Sequence, residues 1–323
     1  MNKLLFLLFP LQLWSQTYPG APGTIGSTAI PKDSSCFVSW ATGIAIQRGY
    51  IDVNDTTQTY DSSNRATFGV PESALGQAEG DLTSVVSLGD HGVATLTFDQ
   101  LITNGAGFDF AIFENGFQDN YIELGFVAVS SDGIYFQTFP SVSETPTDVQ
   151  AWNGSSTDCR YVNNLAGKYR AGYGTPFDLD DLPSDPLVNK NAITHIRITD
   201  VVGSVGAGGT DDSQGHRIND PYPTPFASCG FDLDAVGIIH QTLGIPEIAS
   251  DAWKVWPNPS NGVIHLSLPQ SGEVQLSDLA GKIILVQQVG PNGAVSLEGI
   301  SSGNYLLTFR NESSVGVKQL IVR

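Results

Sequence analysis

The sequence predicts an all-β protein built of two sandwiches, a jelly-roll-like β-sandwich followed by a small Ig-like β-sandwich. Three observations carry that expectation. Gly and Pro are abundant, at 35 and 18 of 323 residues, while Met occurs once. Apolar residues recur at every second position in short runs and seldom with the 3.6 period of a helix. Clusters of Gly, Asn, Asp and Ser, the residues that make turns, separate those runs.

Taken in order, the chain opens with Lys3, an apolar run over 4–13, and a polar exit at Trp14, Ser15 and Gln16. A charged start and a short apolar core describe a secretory signal peptide over 1–16, cleaved near Gln16. The run is too short to span a bilayer, and no Cys follows closely enough for a lipoprotein anchor. The alternative is an N-terminal buried strand. A cargo domain is expected over 17–240. Its first strand is Ser35-Cys36-Phe37-Val38. Residues 93–98 place Ala94, Leu96 and Phe98 on one face, and 107–113 place Phe108, Phe110 and Ile112 together. A strand over 121–130 turns at Ser131-Asp132-Gly133 into 134–139, a hairpin signal. Residues 192–202 bring Ile196 and Ile198 to one face, and 231–239 form the last cargo strand. The longer loops, about 140–190 and 203–228, are where function is expected. A linker over 241–252 leads to the last domain, 253–323, with strands expected near 263–268, 273–277, 283–289, 304–310 and 316–322.

Charge divides the chain. Residues 17–250 carry 9 Lys+Arg against 28 Asp+Glu, a balance of −19, while 251–323 carry 5 of each. Such a cargo repels nucleic acid and anionic lipid surfaces. It suits divalent cations or neutral and basic partners, although solubility alone accounts for the total. No further apolar stretch reaches membrane-spanning length. Three cysteines follow the signal peptide, Cys36, Cys159 and Cys229. First and last strands of a sandwich often neighbour one another, so the expected disulfide is Cys36–Cys229, leaving Cys159 free. Their scatter, without a CxxC, argues against a thiolate metal site.

The C-terminal segment carries Lys254-Val255-Trp256-Pro257-Asn258-Pro259-Ser260-Asn261-Gly262, then Asp278-Leu279-Ala280-Gly281-Lys282, then Gly303-Asn304-Tyr305-Leu306, and ends at Val317-Lys318-Gln319-Leu320-Ile321-Val322-Arg323. These landmarks, in this order, resemble the type A C-terminal sorting domain of type IX (Por) secretion, a route of Bacteroidetes-type bacteria. Pro257, Asn258, Pro259, Gly262, Gly281, Lys282, Gly303, Tyr305 and Lys318 carry the resemblance. It implies passage through the periplasm and across the outer membrane by the type IX secretion machinery. Release or attachment at the cell surface follows, with the domain removed during maturation.

The cargo is similar, over about 30–240, to a family of bacterial secreted cell-surface proteins. The similarity rests on Phe108-Asp109-Phe110-Ala111-Ile112-Phe113-Glu114-Asn115-Gly116-Phe117, on residues 123–133 and 164–169, on Thr199-Asp200-Val201-Val202-Gly203-Ser204, and on residues 230–237. That family has no established activity, so the similarity implies an extracellular β-sandwich and transfers no catalytic residue.

Several side chains are candidates for chemistry. Asp232 and Asp234 lie two apart on a strand and are expected on one face, about 7 Å apart, with Val236 and Ile238 continuing it. Carboxylates entering an apolar stripe need a partner, and Ca2+ is the natural one outside the cell because it takes several oxygens. Asp200, Asp211, Asp212 and Asp220 are the further expected ligands. The alternatives are solvated carboxylates or pairing with Arg197 or Arg217. No contiguous D-x-[DN]-x-[DN]-G loop is present, so any such site is assembled from distant segments. Glu114 and Glu123 bound an acidic turn that reads as a metal or glycan loop, as a carboxylate pair of a glycan hydrolase, or as a capped connection. The five His show no HExxH, and no G-x-S-x-G elbow occurs. The loop over 203–209 is glycine-rich but runs into two aspartates, which suits flexibility and not phosphate. Trp152, Tyr161, Tyr169, Tyr173 and Tyr222 fall in expected loops. There their rings either stack on sugar faces or pin the loops to the sandwich, by about 1–3 kcal/mol each. Trp152, Tyr169, Tyr173, Tyr222 and Glu114 are the expected ligand-binding residues. Together these readings favour non-catalytic binding of a surface glycan or protein. A carboxylate-dependent glycan hydrolase or lyase, and a structural adhesion component, remain as alternatives.

Overall fold

The computed structural model describes residues 17–152, 157–242, 253–311 and 315–323. The expected signal peptide and residues 243–252 of the expected linker lie outside the described residues. The chain divides into two compact units, one of residues 1–98 and 102–241, the other of 99–101 and 242–323.

The first unit holds β1 (Ile30–Pro31), β2 (Ser39–Trp40), β3 (Gly43–Gln47), β4 (Val86–Ser87), β5 (Val93–Ile102), β6 (Phe110–Glu114) and β7 (Gly125–Ser130). It continues with β8 (Gln137–Thr138), β9 (Val142–Ser143), β10 (Val162–Asn163), β11 (Tyr173–Phe177), β12 (Ile193–Asp200) and β13 (Asp232–Ile238). One sheet runs β1-β11-β6-β13-β2, with β4 also on β13, and the other runs β3-β5-β12-β7-β8. Every pairing between these strands is antiparallel. The inward positions of both sheets meet in one core. Ala94, Leu96, Val127, Val129, Ile196 and Ile198 come from one sheet, and Phe110, Ile112, Phe177, Val236 and Ile238 from the other. Period-two alternation puts these residues on one face of each strand, and burying a Val, Leu, Ile or Phe side chain stabilises by about 1.5–3 kcal/mol.

The expected face of Ala94, Leu96 and Phe98 forms, as does that of Ile196 and Ile198. The expected hairpin also forms, with Val129 opposite Gln137 and Ala128 opposite Thr138. Gly133 takes a φ of +75°, a left-handed conformation that suits glycine. Asp132 accepts hydrogen bonds from the Ile134 and Tyr135 N–H groups. Phe108 departs from expectation. It lies before β6 and is 36% exposed, while Phe110 and Ile112 are buried.

β2 does adjoin β13, as expected of early and last strands, yet the Cys36–Cys229 bridge is absent and all three cysteines are free thiols. The reason is strand direction. β2 pairs with Gly237 and Ile238 at the end of β13, whereas Cys229 precedes its start. A seven-residue strand, about 3.3 Å per residue, lies between them. Cys229 packs instead with Ile51 and Ala66.

The second unit contains β14 (Lys254–Trp256), β15 (Val263–Ser267), β16 (Gly272–Asp278), β17 (Ile283–Val289), β18 (Ala294–Ser296), β19 (Gly303–Arg310) and β20 (Val315–Val322). Sheets β14-β15-β18 and β17-β16-β19-β20 close over Trp253, Leu266, Val274, Leu276, Leu307, Phe309 and Leu320. The five expected strands are present, and two short ones, β14 and β18, complete the smaller sheet. Among the described residues no helix is long and apolar enough to cross a membrane.

Candidate functional site

Each of the six carboxylates expected to share a calcium ion has protein partners of its own. Asp211 pairs with Arg217 Nε at 2.6 Å. Asp212 accepts from the Ser143, Gln214 and His216 N–H groups. Burial alone would raise its pKa, and these donors overcome burial and lower it. Asp220 accepts from Leu124 N, and Asp200 from His91 N and Phe231 N. Asp234 accepts from Glu79 N and Gly80 N, and Asp232 from Ser87 Oγ and Asn115 Nδ2. Among the described residues no three His, Cys, Asp or Glu side chains are placed to hold one metal ion. The shared face expected of Asp232, Asp234, Val236 and Ile238 is broken by a register shift between Leu233 and Ala235. That bulge sends Leu233, Val236 and Ile238 into the main core and Ala235 into a separate cluster with Phe113.

Several acids sit where charge is costly. Glu114 is 1% exposed and Glu123 6%, so neither carboxyl faces solvent. Burial, then the neighbouring Asp232, pushes both well above the usual carboxylate range. Glu114 Oε2 accepts from Gly116 N, while buried Oε1 has no hydrogen-bond partner. Burial raises Asp232 to about 7 and Asp90 and Asp234 to about 6, and it raises Asp200 and Asp220 strongly. This is a sealed set of protonatable groups inside the cargo unit.

The expected ring residues separate just as clearly. Tyr169 is buried, its hydroxyl bonded to Thr28 Oγ1 at 2.8 Å. Tyr222 is buried too; its hydroxyl donates to Asp52 and accepts from Asn54 Nδ2. Tyr173 lies in β11 under the Arg170 guanidinium, 4.5 Å from the ring centre. Tyr169, Tyr222 and Glu114 are buried, and Tyr173 is half-buried. Trp152 differs, being 62% exposed.

Trp152 lines a cleft of about 470 Å³ with Tyr161, Asp148, Gln150, Asp158 and Asn219. The cleft is held open by amide side chains that read backbone. Asn219 Nδ2 donates to the Pro146 and Val149 carbonyls, and its Oδ1 accepts from Ala151 N at 2.8 Å. Gln150 Nε2 reaches the Gly203 carbonyl, and its Oε1 accepts from Val205 N. One wall is a single 3-10 turn, Cys159–Tyr161, capped by Asp158 accepting from Arg160 N. These bonds tie the backbone of residues 146–151 to Asn219 and to the 203–205 segment. Asp158 also lines an adjoining hollow of about 890 Å³ formed with Tyr18, Asn120 and Arg160. The cleft thus offers a flat exposed ring beside carboxylates and hydroxyls. The Asn219 and Gln150 brackets have no sequence signature, because their partners lie up to 73 residues away.

The fold and the C-terminal segment define an exported all-β protein. Residues 254–323 match the family described as the secretion system C-terminal sorting domain. The protein is exported by type IX secretion to the cell surface or extracellular space. Its landmarks have structural roles. Asn258 Nδ2 donates to the Gln319 carbonyl and its Oδ1 accepts from Ile321 N, which clips the Pro257–Pro259 stretch along the outer edge of β20. Gly281 takes a φ of +83° in the turn that Asp278 caps for Lys282. Gly303 opens β19, the Tyr305 hydroxyl donates to the Ser301 carbonyl, and Lys318 lies over the Trp253 ring. Gly262 has open space around it.

No curated protein matches the chain. Among solved structures, the sulfur carrier protein SoxY from Chlorobium limicola f thiosulfatophilum aligns at 15% identity, over 25% of this chain and 86% of its own, with a TM-score of 0.19. A β-glucuronidase of Faecalibacterium prausnitzii aligns at 10% identity over 89% of this chain and 46% of its own, TM-score 0.21. One of Ruminococcus gnavus aligns at 10% over 72% and 36%, TM-score 0.21. The chain spans less than half the length of these two enzymes, and superpositions this loose carry no argument about fold or activity.

Proposed function

We propose that the cargo unit is a non-catalytic glycan-binding module delivered to the cell surface by its sorting domain. The observation that supports this reading is the exposed Trp152 ring in a braced, polar cleft. A sugar ring offers an apolar face of C–H groups to an indole and hydroxyls around its edge. Asp148, Asp158 and Tyr161 stand around Trp152 to meet such hydroxyls. Because the Gln150 and Asn219 bonds hold the segment before Trp152 in place, little ordering is needed there on binding. The strongly acidic cargo favours neutral or amino sugars over acidic ones. A protein ligand is a weaker reading, since a cleft of this size admits one or two side chains and not an interface.

The test is a glycan array probed with residues 17–323, as wild type and as Trp152→Ala. Binding of a discrete set of neutral glycans by the wild type, absent in the variant, is the expected result. An array silent for both removes the glycan reading.

A further inference from the structure

We infer that residues 115–124 form a pH-operated strap: it stays fastened against the wall of the Trp152 cleft while the acids at its two ends hold protons, and it lifts when they ionise. The segment joins β6 to β7. Its middle, 117–120, is exposed, and its flanks are buried. Bonds along its length fasten it. Ala171 N donates to the Gly116 carbonyl at 2.9 Å, and Arg170 Nε meets Asp119 Oδ1 at 2.8 Å. Thr157 N donates to the Asn120 carbonyl at 2.7 Å, and Leu124 N donates to Asp220 Oδ2 at 2.9 Å. Thr157 lines the Trp152 cleft, and the Asp220 carbonyl accepts from Gln150, which braces that cleft. The strap is thereby tied to the cleft at Thr157 and through Asp220.

The two ends of the strap tolerate protons and not charge. Glu114 leads into it and Glu123 lies near its exit, 1% and 6% exposed. Glu114 Oε1 is buried with no hydrogen-bond partner. Further acids face the pair. Asp232 from β13 acts on both, Asp234 on Glu114, and Asp220 and Asp200 on Glu123, while the Tyr121 hydroxyl of the strap itself feels both glutamates. The bases nearby are engaged elsewhere. Arg48 acts on Asp232, but its guanidinium donates to the Phe68, Ser87 and Gly69 carbonyls. Arg170 pairs with Asp119, and Lys168 Nζ donates to the Val162 carbonyl. Ionising a buried carboxyl in such company is costly, and lifting the strap relieves the cost by returning Glu114 and Glu123 to water. In water their ordinary value is about 4.3. Each glutamate therefore holds the strap fully below that value and loses its hold as pH rises toward the raised one. Across this window each shifts the balance toward the lifted form by about tenfold per pH unit.

The effect on a ligand rests on the glycan reading, whereas the strap itself is read without one. Amide hydrogen exchange of residues 17–323 is followed by mass spectrometry at pH 5.5, 6.5, 7.5 and 8.5 and corrected for the intrinsic rate. Peptides covering 115–124 and Thr157 should lose protection together, about tenfold or more per pH unit, while β5 and β12 keep theirs. Glu114→Gln, and separately Glu123→Gln, should make that loss shallower by about tenfold per unit. Asp119→Asn, which cuts an exposed fastener, should lower protection at every pH and leave the steepness unchanged. Protection of the strap that does not depend on pH overturns the inference. So does loss in β5 and β12 in step with the strap, which is global unfolding, or a steepness that both glutamine variants share with wild type. The best neutral glycan from the array should bind at least about tenfold more weakly at pH 8.5 than at pH 5.5. Unchanged affinity with the strap lifted overturns its link to the cleft and leaves the Trp152 reading standing. A silent array removes that reading, and the exchange result alone then decides the strap.

Discussion

Replacing Glu114 by Gln should stabilise the protein in a strongly pH-dependent way. Glu114 is 1% exposed, Oε1 lacks a partner, and burial and Asp232 hold its pKa well above the ordinary value. A carboxyl raised in the folded state contributes stability that is fully present below its unfolded pKa. That contribution is lost as pH rises through the folded pKa. The unfolded value is about 4.3, and each pH unit above it costs about 1.4 kcal/mol while the folded group stays protonated. Between pH 5 and pH 8 the ceiling is therefore about 4 kcal/mol for this side chain alone. Gln keeps the acceptor for Gly116 N and has no proton to lose. Any repacking cost of the new amide, roughly 1–3 kcal/mol, is the same at both pH values and cancels from the comparison. Urea unfolding of residues 17–323 followed by tryptophan fluorescence at pH 5 and 8 gives the numbers. Wild type should lose stability on going to pH 8, and Glu114→Gln should lose less by 1 kcal/mol or more, within the ceiling above. Equal losses in the two proteins would refute the reasoning that Glu114 is held protonated.

Other predictions follow from the same geometry. Tyr222→Phe removes the hydroxyl that joins Asp52 to Asn54 and should cost about 1 kcal/mol, read as a lower urea midpoint with unchanged slope. Adding EGTA should leave Tm unchanged, because Asp200, Asp212, Asp220, Asp232 and Asp234 already spend oxygens on protein donors. A fall of several degrees, restored by Ca2+ and not by Mg2+, would support the calcium expectation. Deleting residues 254–323 should strand the cargo in the periplasm, and immunoblots of cell fractions that show normal surface delivery would contradict the assignment.

The strands were readable because two-residue alternation is a local property. Leu96, Ile112, Ile196 and Val236 face the core for the reason their spacing gives. The sorting domain was readable because its landmarks are contiguous turn and edge elements. What escaped is decided over long distances. The bulge between Leu233 and Ala235 reverses the expected company of Asp232 and Asp234, and only the pairing with β6 reveals it. Tyr169 and Tyr222 lie in loops like Trp152, yet they are buried, their hydroxyls bonded to Thr28 and Asp52, 141 and 170 residues away. Exposure of a loop ring is thus a tertiary outcome, and of the expected ring residues Trp152 alone keeps it. The Cys36–Cys229 pairing failed for a similar reason: adjacency of two strands was legible, and the end at which they meet was not.

The central claim is that Trp152 carries glycan binding. Titration calorimetry with the best neutral glycan from the array measures it directly, on wild type, Trp152→Phe, Trp152→Ala and Ile134→Ser. Stacking on an aromatic ring contributes roughly 1–3 kcal/mol, so Ala should weaken Kd at least about fivefold. Phe should weaken it less, and Ile134→Ser, on a distant exposed loop side chain, should match wild type. Equal affinity in wild type and Trp152→Ala would contradict the account.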